Sequence, residues 1–407
     1  MTIQLCKPED CTGCQSCIQT CKHNAIQVQN DKHGFLHPII DANKCIECGL
    51  CIKSCPILNP PFCNNNMRPE TWAAWHPNKQ IRLDSSSGGA FSAIAEWVLD
   101  NNGVVFGASL SKDLEIKHIA ISNKQQLHLI RKSKYVQSNI NQTYIEAARL
   151  LRQDKKVLFS GTPCQIAGLY TFLRNKRPDN LYTIDFICHG VPSPMVFTEY
   201  IKSMEQKYKH KISNVNFRDK RLGVETNLLM VFTLNNNEQK VEAFKYNSFY
   251  RGFINNLILR NSCYQCKYAT MPRIADITLA DYRNIGNKYT FMHEKDRPLG
   301  FTGLLINNAH GDELLKLTNI CFEKRDFDEL ASAQPHLKAP VEKPSNIEEV
   351  YEMLYDKGYN KTAEHFFPMS LKKRIEIYLR HILGVKLFYK MGIIARILTG
   401  KRKILKK

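Results

Sequence analysis

Cysteines at short, repeated intervals are the residues of this sequence best suited to chemistry. The chain has 15 cysteines among 407 residues, a number that points to metal ligation in a reducing compartment. Eight of them form two runs with C-x2-C-x2-C-x3-C spacing, namely Cys11, Cys14, Cys17 and Cys21, then Cys45, Cys48, Cys51 and Cys55. Such runs bind two [4Fe–4S] clusters, and the fourth cysteine of each run ligates the other run's cluster. The spacing predicts one cluster on Cys11, Cys14, Cys17 and Cys55, and a second on Cys45, Cys48, Cys51 and Cys21.

Alternatively, these cysteines could bind zinc or form disulfides. Zinc sites use pairs with longer spacers, and disulfides belong mainly to exported proteins. Residues 1–7 contain no apolar segment of a secretory signal. The pattern therefore favours a ferredoxin-type module over residues 1–60, and we expect a cytoplasmic location.

The elements that must hold these cysteines can be predicted in outline. Residues 25–28 and 36–40 flank a turn at 31–34 and predict a β-hairpin between the two runs. A stretch rich in proline and asparagine follows, and we expect residues 61–80 to be a linker.

Beyond the linker, the pattern changes to three units that indicate an α/β body. In the first, the Ser/Gly-rich residues 84–89 precede a helix that ends near Asn101, and strand 104–107 follows. The second has strand 157–159, loop 160–165 and a helix to about Arg174. The third has strand 182–187, loop 188–192 and a helix capped by Ser193. Small residues at a helix start can bind phosphate, although they are equally ordinary helix caps.

Four further cysteines predict a third metal centre in this body. Cys164 and Cys188 each follow a predicted strand, at the sheet edge where α/β proteins bind cofactors. Cys263 and Cys266 form another close pair, so the four together match the number of ligands that a [4Fe–4S] cluster needs. Zinc on the same thiolates is the alternative. We assign no role to Cys6, Cys63 and Cys321.

Several segments jointly resemble the coenzyme F-420 hydrogenase/dehydrogenase beta-subunit family, fused behind a two-cluster ferredoxin module. The matching segments are residues 86–91, 133–138, 161–165, 188–193, 263–266 and 275–281, in order between about 80 and 325. The resemblance implies an N-terminal region over 81–155, an α/β domain over 156–325 and a cluster on Cys164, Cys188, Cys263 and Cys266. It also implies FAD, with contacts from Ser87, Gly88, Gly89, Lys134, Tyr135, Ser138, Gly161, Thr162, Gln165 and Asp281.

The C-terminal region, residues 326–407, is predicted to be a helical, basic tail. The net charge of the chain is +19, and residues 368–407 contain 12 lysines and arginines against one acid, Glu376. A basic amphipathic helix suits an anionic membrane surface, such as the inner face of the cell membrane, or an acidic partner. A helix that packs on its own body is the alternative. We expect no nucleic acid partner, because the basic stretch has no recognisable nucleic-acid-binding motif.

These features together predict an α+β dicluster module, an α/β flavin-binding body and a basic helical tail. The expected function is an oxidoreductase that passes electrons between a two-electron carrier, which the resemblance suggests is a deazaflavin, and the [4Fe–4S] clusters. Its partner would be a redox protein or a small two-electron carrier. The alternatives are an electron-transfer adaptor without substrate chemistry, and a membrane-associated protein of polysaccharide biosynthesis.

Overall fold

The N-terminal module is a β-hairpin flanked by two short helices. The computed structural model describes residues 3–224 and 228–369. Helix α1 is Ser16–Thr20, β1 is Ile26–Asn30, β2 is Leu36–Ile40 and α2 is Leu50–Lys53. The predicted hairpin is confirmed, since β1 and β2 pair antiparallel with Ile26 opposite Ile40. The Asp31 carboxylate closes the turn by accepting hydrogen bonds from the backbone N–H groups of His33 and Phe35, each at 2.9 Å.

The body is built on an eight-stranded mixed sheet. Its strands along the chain are β3 (Glu70–Trp75), β4 (Val104–Leu110), β5 (Ile116–Ile121), β6 (Val157–Ser160), β7 (Leu181–Phe186), β11 (Ile277–Asp281), β12 (Thr302–Ile306) and β13 (Cys321–Arg325). Their order across the sheet is β13-β3-β12-β11-β7-β6-β4-β5. Strands β4, β6, β7 and β11 are parallel, whereas the outer strands on both sides pair antiparallel.

Helices cover both faces of this sheet. They are α3 (Lys79–Leu83), α4 (Ala90–Asp100), α5 (Leu127–Ile130), α6 (Thr143–Arg152), α7 (Pro163–Phe172), α10 (Ala309–Leu317) and α11 (Phe327–Ala331). Consecutive strand residues point to opposite faces. Leu158 accordingly packs in the core beneath α4 and α10, while Phe159 packs in the core beneath α6 and α7. The central strands are mostly apolar because both of their faces are buried, and the buried polar exceptions in β7 and β11 include Thr183, Asp185 and Thr278.

A second, smaller sheet packs against the remaining helices. It has the order β10-β9-β8, from β8 (Ile212–Asp219), β9 (Leu229–Leu234) and β10 (Gln239–Ala243). Helices α8 (Pro194–Tyr208), α9 (Ser248–Ile254) and α12 (Ile347–Phe366) share one hydrophobic core with it. Tyr351 and Tyr359 of α12 are buried in that core, so the part of the C-terminal region before residue 370 packs on the body.

The three predicted strand–loop–helix units are confirmed, with Ser193 capping α8 by accepting a hydrogen bond from the N–H of Val196. Residues 61–80, expected to be a linker, instead contain β3, which pairs with β12 and β13. Thr71, Trp72 and Trp75 favour a strand, but Ala73 and Ala74 do not, and proline and asparagine residues on both sides favour loops. The basic segment 370–407 lies outside the described residues. Among residues 3–224 and 228–369, no helix is long and apolar enough to cross a membrane.

Candidate functional site

One cavity in the N-terminal module brings together the four cysteines predicted to bind the first cluster. Cys11, Cys14, Cys17 and Cys55 all line it. Cys55 comes from the second run, so the cavity has the cross-run composition that two-cluster modules require. Burial raises the pKa of the Cys14 thiol to about 12. Burial and the neighbouring thiols Cys14, Cys11 and Cys55 also raise the pKa of Cys17. Such thiols need a nearby cation to ionise, and a metal cluster supplies one.

The predicted ligands of the second cluster lie around α1 and α2. Cys51 is buried in α2, and its pKa is raised by burial and by the nearby thiols of Cys45 and Cys48. Cys21 is the C-terminal cap of α1, and α1 packs against α2. The helix that ends at Cys21 therefore packs against the helix that carries Cys51.

The structure also brings together the four cysteines of the body. Cys164 is the second residue of α7, Cys188 follows β7, and Cys263 and Cys266 lie in and just after a 3-10 turn at Asn261–Gln265. Burial, together with the thiols of Cys266, Cys188 and Cys263, raises the pKa of Cys164 well above its usual value. A Cβ added at Gly190 would lie 3.4 Å from the Cβ of Cys263, so the loop after β7 lies against the cysteine pair.

The other cysteines differ in their surroundings. Cys6 lines the first-cluster cavity, the thiol of Cys63 donates to the carbonyl of Arg273 at 3.3 Å, and Cys321 begins β13. Within the part of the chain that the structure describes, no three His, Cys, Asp or Glu side chains are arranged to hold a single metal ion.

Helix α7 connects the first-cluster cavity to the body cysteines. Cys164 is in its first turn, and Gly168 lies one turn further on. Cys14 packs directly against Gly168, because a Cβ added there would lie 3.0 Å from its sulfur. Tyr268 lies close to both sets of thiols: burial and the charges of Cys14, Cys164, Cys266 and Cys55 raise its pKa. The two groups of cysteines are therefore neighbours through the contact of Cys14 with α7.

Arg260 fastens the N-terminal module to the body. Its guanidinium is buried and donates to the carbonyl of Cys11 at 2.5 Å, to the carbonyl of Leu36 at 3.0 Å and to the side-chain oxygen of Gln137 at 2.9 Å. Gln137 in turn donates to the carbonyl of Thr12 at 3.0 Å. Sequence reasoning gave no role to Arg260, Gly168 or Tyr268, since each acts through partners far away in the chain. The only sequence signal is their closeness to Cys263, Cys164 and Cys266.

A buried ion pair lies behind the body cysteines. Arg273 is 1% exposed and Asp185 is 0% exposed, and their side chains are 3.1 Å apart. Asp185 also accepts a hydrogen bond from the hydroxyl of Thr278 at 2.5 Å, and Arg273 donates to the carbonyl of Tyr268 at 2.9 Å. Burial raises the pKa of Asp185, and Arg273 opposes that rise. The pair joins β7, which leads to Cys188, to the segment that follows Cys266.

Replacing Arg273 by methionine should lower the free energy of unfolding by about 3–5 kcal/mol at neutral pH, because it leaves a buried carboxylate unpaired. The loss should shrink as the pH falls, since Asp185 can then be buried in its protonated form. Urea denaturation under anaerobic conditions at several pH values measures this. The double variant Arg273→Met, Asp185→Asn should recover much of the loss, and an equal loss in single and double variants would contradict the interpretation.

The Ser/Gly segment predicted to contact flavin is fixed against the sheet. The N–H of Gly88 donates to the hydroxyl of Thr302 at 3.0 Å, and a Cβ on Gly88 would lie 2.3 Å from the carbonyl oxygen of Ala74. The hydroxyl of Ser87 donates to the carbonyl of Phe301 at 2.6 Å. Gly89 precedes α4 with a φ of +90°. The glycines therefore permit close packing on β3 and β12, and the N–H of Gly88 already has a partner.

Three more of the predicted flavin contacts, Ser138, Thr162 and Gln165, form one hydrogen-bonded group at the start of α7, and Gly161 packs against it. The side chain of Gln165 accepts from the N–H of Thr162 at 2.9 Å and donates to the hydroxyl of Ser138 at 3.0 Å. A Cβ on Gly161 would lie 3.1 Å from the Gln165 side-chain oxygen. His118 packs beside this group, and its Nε2 contacts the carbonyl of Ser160 at 3.0 Å. Its buried Nδ1 has no hydrogen-bond partner.

Tyr135 and Asp281 are joined through Arg218. Arg218 forms an ion pair with Asp281 at 2.7 Å, and one of its N–H groups lies 3.5 Å from the hydroxyl of Tyr135. Although burial opposes ionisation, Arg218 and Arg283 hold the pKa of Asp281 below its usual value. Lys134 donates to the carbonyls of Leu129 and Arg131, at 3.2 and 2.7 Å, and burial together with Lys132 lowers its pKa to about 7.

Cations gather at this side of the body. Burial, followed by the charges of Arg218 and Arg82, lowers the pKa of Lys220 to about 7. Burial also lowers the pKa of Lys132, and the positive charges of Arg131 and Arg221 lower it further. We call these residues the cation cluster: Arg82, Arg131, Lys132, Lys134, Arg218, Lys220 and Arg221. The acids that act on Lys132 and Lys220 are Asp84, Asp219 and Asp281. This excess of partly buried positive charge suits an anionic ligand.

Comparisons with known proteins match both parts of the site. Residues 154–329 match the family that comprises the C terminus of the coenzyme F420 hydrogenase/dehydrogenase beta subunit, and residues 10–58 match the 4Fe-4S dicluster domain. No curated protein matches the chain significantly. Among solved structures, a chain of the F420-reducing [NiFe] hydrogenase complex from Methanosarcina barkeri is 13% identical, with 72% of this chain and 96% of that chain covered and a TM-score of 0.45. The two family models confirm the resemblance found in the sequence over the residues that they match.

Proposed function

We propose that this chain, an iron–sulfur electron-transfer protein related to the beta subunit of coenzyme F420 hydrogenase/dehydrogenase, is a flavin-dependent oxidoreductase with three [4Fe–4S] clusters. It exchanges electrons between a two-electron carrier, such as the deazaflavin that the family resemblance implies, and a redox partner of the N-terminal module. The observation that carries the proposal is the contact of Cys14 with Gly168, one helical turn from Cys164. That contact sets two cysteine groups side by side, as a relay of electrons between body and module needs.

The residues of the chain have distinct parts in this proposal. The cysteines of the two runs would hold two clusters, and Cys164, Cys188, Cys263 and Cys266 would hold the third. A bound [4Fe–4S] cluster supplies one-electron transfer. Gly168 allows α7 to approach Cys14, Tyr268 lies close to both cysteine groups, and Arg260 holds the module against the body.

The cation cluster is the feature of the structure that supports the proposal of bound FAD. A flavin dinucleotide has a negatively charged pyrophosphate, and partly buried arginine and lysine side chains are suitable partners for it. Lys134 and Lys220, whose pKa values burial lowers to about 7, would gain charge stabilisation from such an anion. When bound, FAD supplies the conversion between a two-electron carrier and one-electron centres. Lys132 is the member best placed to meet a ligand, since Lys134 and Lys220 donate to backbone carbonyls and Arg221 is paired with Asp219 at 2.8 Å.

An adaptor without substrate chemistry is the second candidate, and one observation favours it. Most of the polar groups predicted to contact flavin bond to one another or to the backbone, as in the Gln165 group and at Gly88. A chain of this kind would hold clusters and connect a separate reductase to a partner.

Quantitation of iron, sulfide, zinc and flavin on anaerobically purified protein tests the proposal. We expect about twelve irons and about one FAD per chain, since each cluster holds four irons. Cys263→Ala should reduce this to about eight irons, whereas Cys321→Ala, in β13 away from the cysteine groups, should leave it unchanged. Twelve irons without flavin would contradict the oxidoreductase function and support the electron-transfer adaptor instead. About eight irons in both wild type and Cys263→Ala, or zinc in place of the third cluster, would contradict the third cluster.

A further inference from the structure

Cys6 is a fifth thiol in the cavity of the first-cluster cysteines. The chain turns back between Lys7 and Cys11, where the N–H of Cys11 donates to the carbonyl of Lys7 at 3.1 Å. This turn returns Cys6 to the cavity that Cys11, Cys14, Cys17 and Cys55 line. The Cys6 thiol is within hydrogen-bonding reach of the sulfurs of both Cys11 and Cys55. It thus contacts one ligand from each cysteine run.

Cys6 is not needed as a cluster ligand, but its surroundings leave the ligand sulfurs as its hydrogen-bond partners. A [4Fe–4S] cluster uses four thiolates, and the two runs already supply them. The rest of the cavity is largely apolar, with Leu5, Ile18, Val28, Leu36, Pro38 and Ile57 in its lining. A thiol in such surroundings has few groups to bond to except the ligand sulfurs. As a fifth thiol in a cavity whose four ligand positions are taken, Cys6 has an S–H group to donate to these sulfurs.

The second run provides an internal comparison. Five residues before Cys45, at the position that matches Cys6, the chain has Ile40. Isoleucine cannot donate a hydrogen bond. The two halves of the module therefore share the same ligand spacing but differ in this one donor.

We propose, building on the proposed function, that Cys6 raises the reduction potential of the cluster held by Cys11, Cys14, Cys17 and Cys55. Its S–H donates a hydrogen bond to the ligand sulfur of Cys11 or Cys55. Such bonds stabilise the reduced form of a cluster, which has one more negative charge, more than the oxidised form. Cys6 acts through the ligands and is a positioning residue; it gives no electron and forms no bond to iron. The two otherwise similar clusters of the module thereby become unequal.

Redox titration of the full chain, followed by electron paramagnetic resonance, tests this. In Cys6→Ala, the ratio of reduced to oxidised cluster at a fixed potential should fall about tenfold for one module cluster, a shift of about 59 mV to lower potential for a one-electron couple. The other module cluster is the internal control and should not move. Cys6→Ser keeps an O–H donor and should shift less than Cys6→Ala, and Cys321→Ala should not shift either cluster.

The outcomes separate this proposal from the proposed function. An unchanged ratio in Cys6→Ala, with the full iron content retained, would overturn the role of Cys6 and leave the proposed function intact. Loss of about four irons in Cys6→Ala and Cys6→Ser would overturn it too, because Cys6 would then be a ligand. Wild-type protein that holds no clusters after anaerobic reconstitution would instead refute the dicluster assignment itself.

Discussion

Arg260→Ala is expected to lower the free energy of unfolding by about 3–5 kcal/mol and to loosen the N-terminal module from the body. The guanidinium is 1% exposed and donates to the carbonyls of Cys11 and Leu36 and to Gln137. A hydrogen bond to a charged group contributes about 1.5–3 kcal/mol, and truncation leaves its buried acceptors without partners. Because these losses are not additive, the total falls below the simple sum. The effect is large because one side chain holds two segments of the module at once.

Anaerobic urea denaturation and limited proteolysis between the module and β3 measure this effect. Arg260→Lys should be nearly as harmful, since an ammonium group cannot reproduce the planar fork that reaches three acceptors. Arg68→Ala is the matched control, because Arg68 pairs with Asp328 on the surface, with both side chains more than half exposed. Exposed pairs of this kind contribute about 0–1 kcal/mol. An Arg260→Ala protein as stable and as protease-resistant as Arg68→Ala would show that the module is held by other contacts.

The features that the sequence predicted well are those set by local spacing. The two cysteine runs, the hairpin between them and the three strand–loop–helix units each depend on one short continuous segment of the chain, where period and turn chemistry are informative. The strand β3 was missed because its short run lies between turn-forming residues and pairs with strands over 200 residues away in the chain. Such pairing has no local signature.

The interface between module and body could not be predicted for the same reason. Gln137 donates to Thr12 and Arg260 to Cys11, across 125 and 249 positions of the chain. A buried arginine looks like any other arginine in a sequence until its acceptors are known. The family resemblance, in turn, marked residues such as Gln165 and Gly88 for flavin, whereas the folded chain uses their polar groups to cap α7 and to pack the segment before α4. Whether they also contact FAD stays a prediction.

Gly168→Val is expected to remove or displace the cluster held by Cys14 and so to interrupt electron transfer between body and module. A Cβ at position 168 would lie 2.8 Å from the Cβ of Cys14 and 3.0 Å from its sulfur. Helix α7 is buried against the sheet and cannot easily move away, so Cys14 must shift. In an α-helix, alanine is about 1 kcal/mol more favourable than glycine, but overpacking a core costs about 1–3 kcal/mol. Gly168→Ala should therefore be only slightly destabilised overall, whereas valine adds two further methyl groups to the same contact.

Iron content and the rate at which the module is reduced through the body distinguish this contact from a general loss of stability. Gly168→Val should lose about four of the twelve irons that we expect, or keep them and transfer electrons at least tenfold more slowly, with Gly168→Ala between it and wild type. Gly107→Ala is the control for overpacking alone: it adds a methyl group in β4, where the new Cβ would lie 3.2 Å from the Cβ of Ile130, and should leave iron content and rate unchanged. Full iron content and an unchanged rate in Gly168→Val would mean that electrons reach the module by a route that does not depend on the contact between α7 and Cys14. The proximity of the two cysteine groups would then be a matter of packing alone.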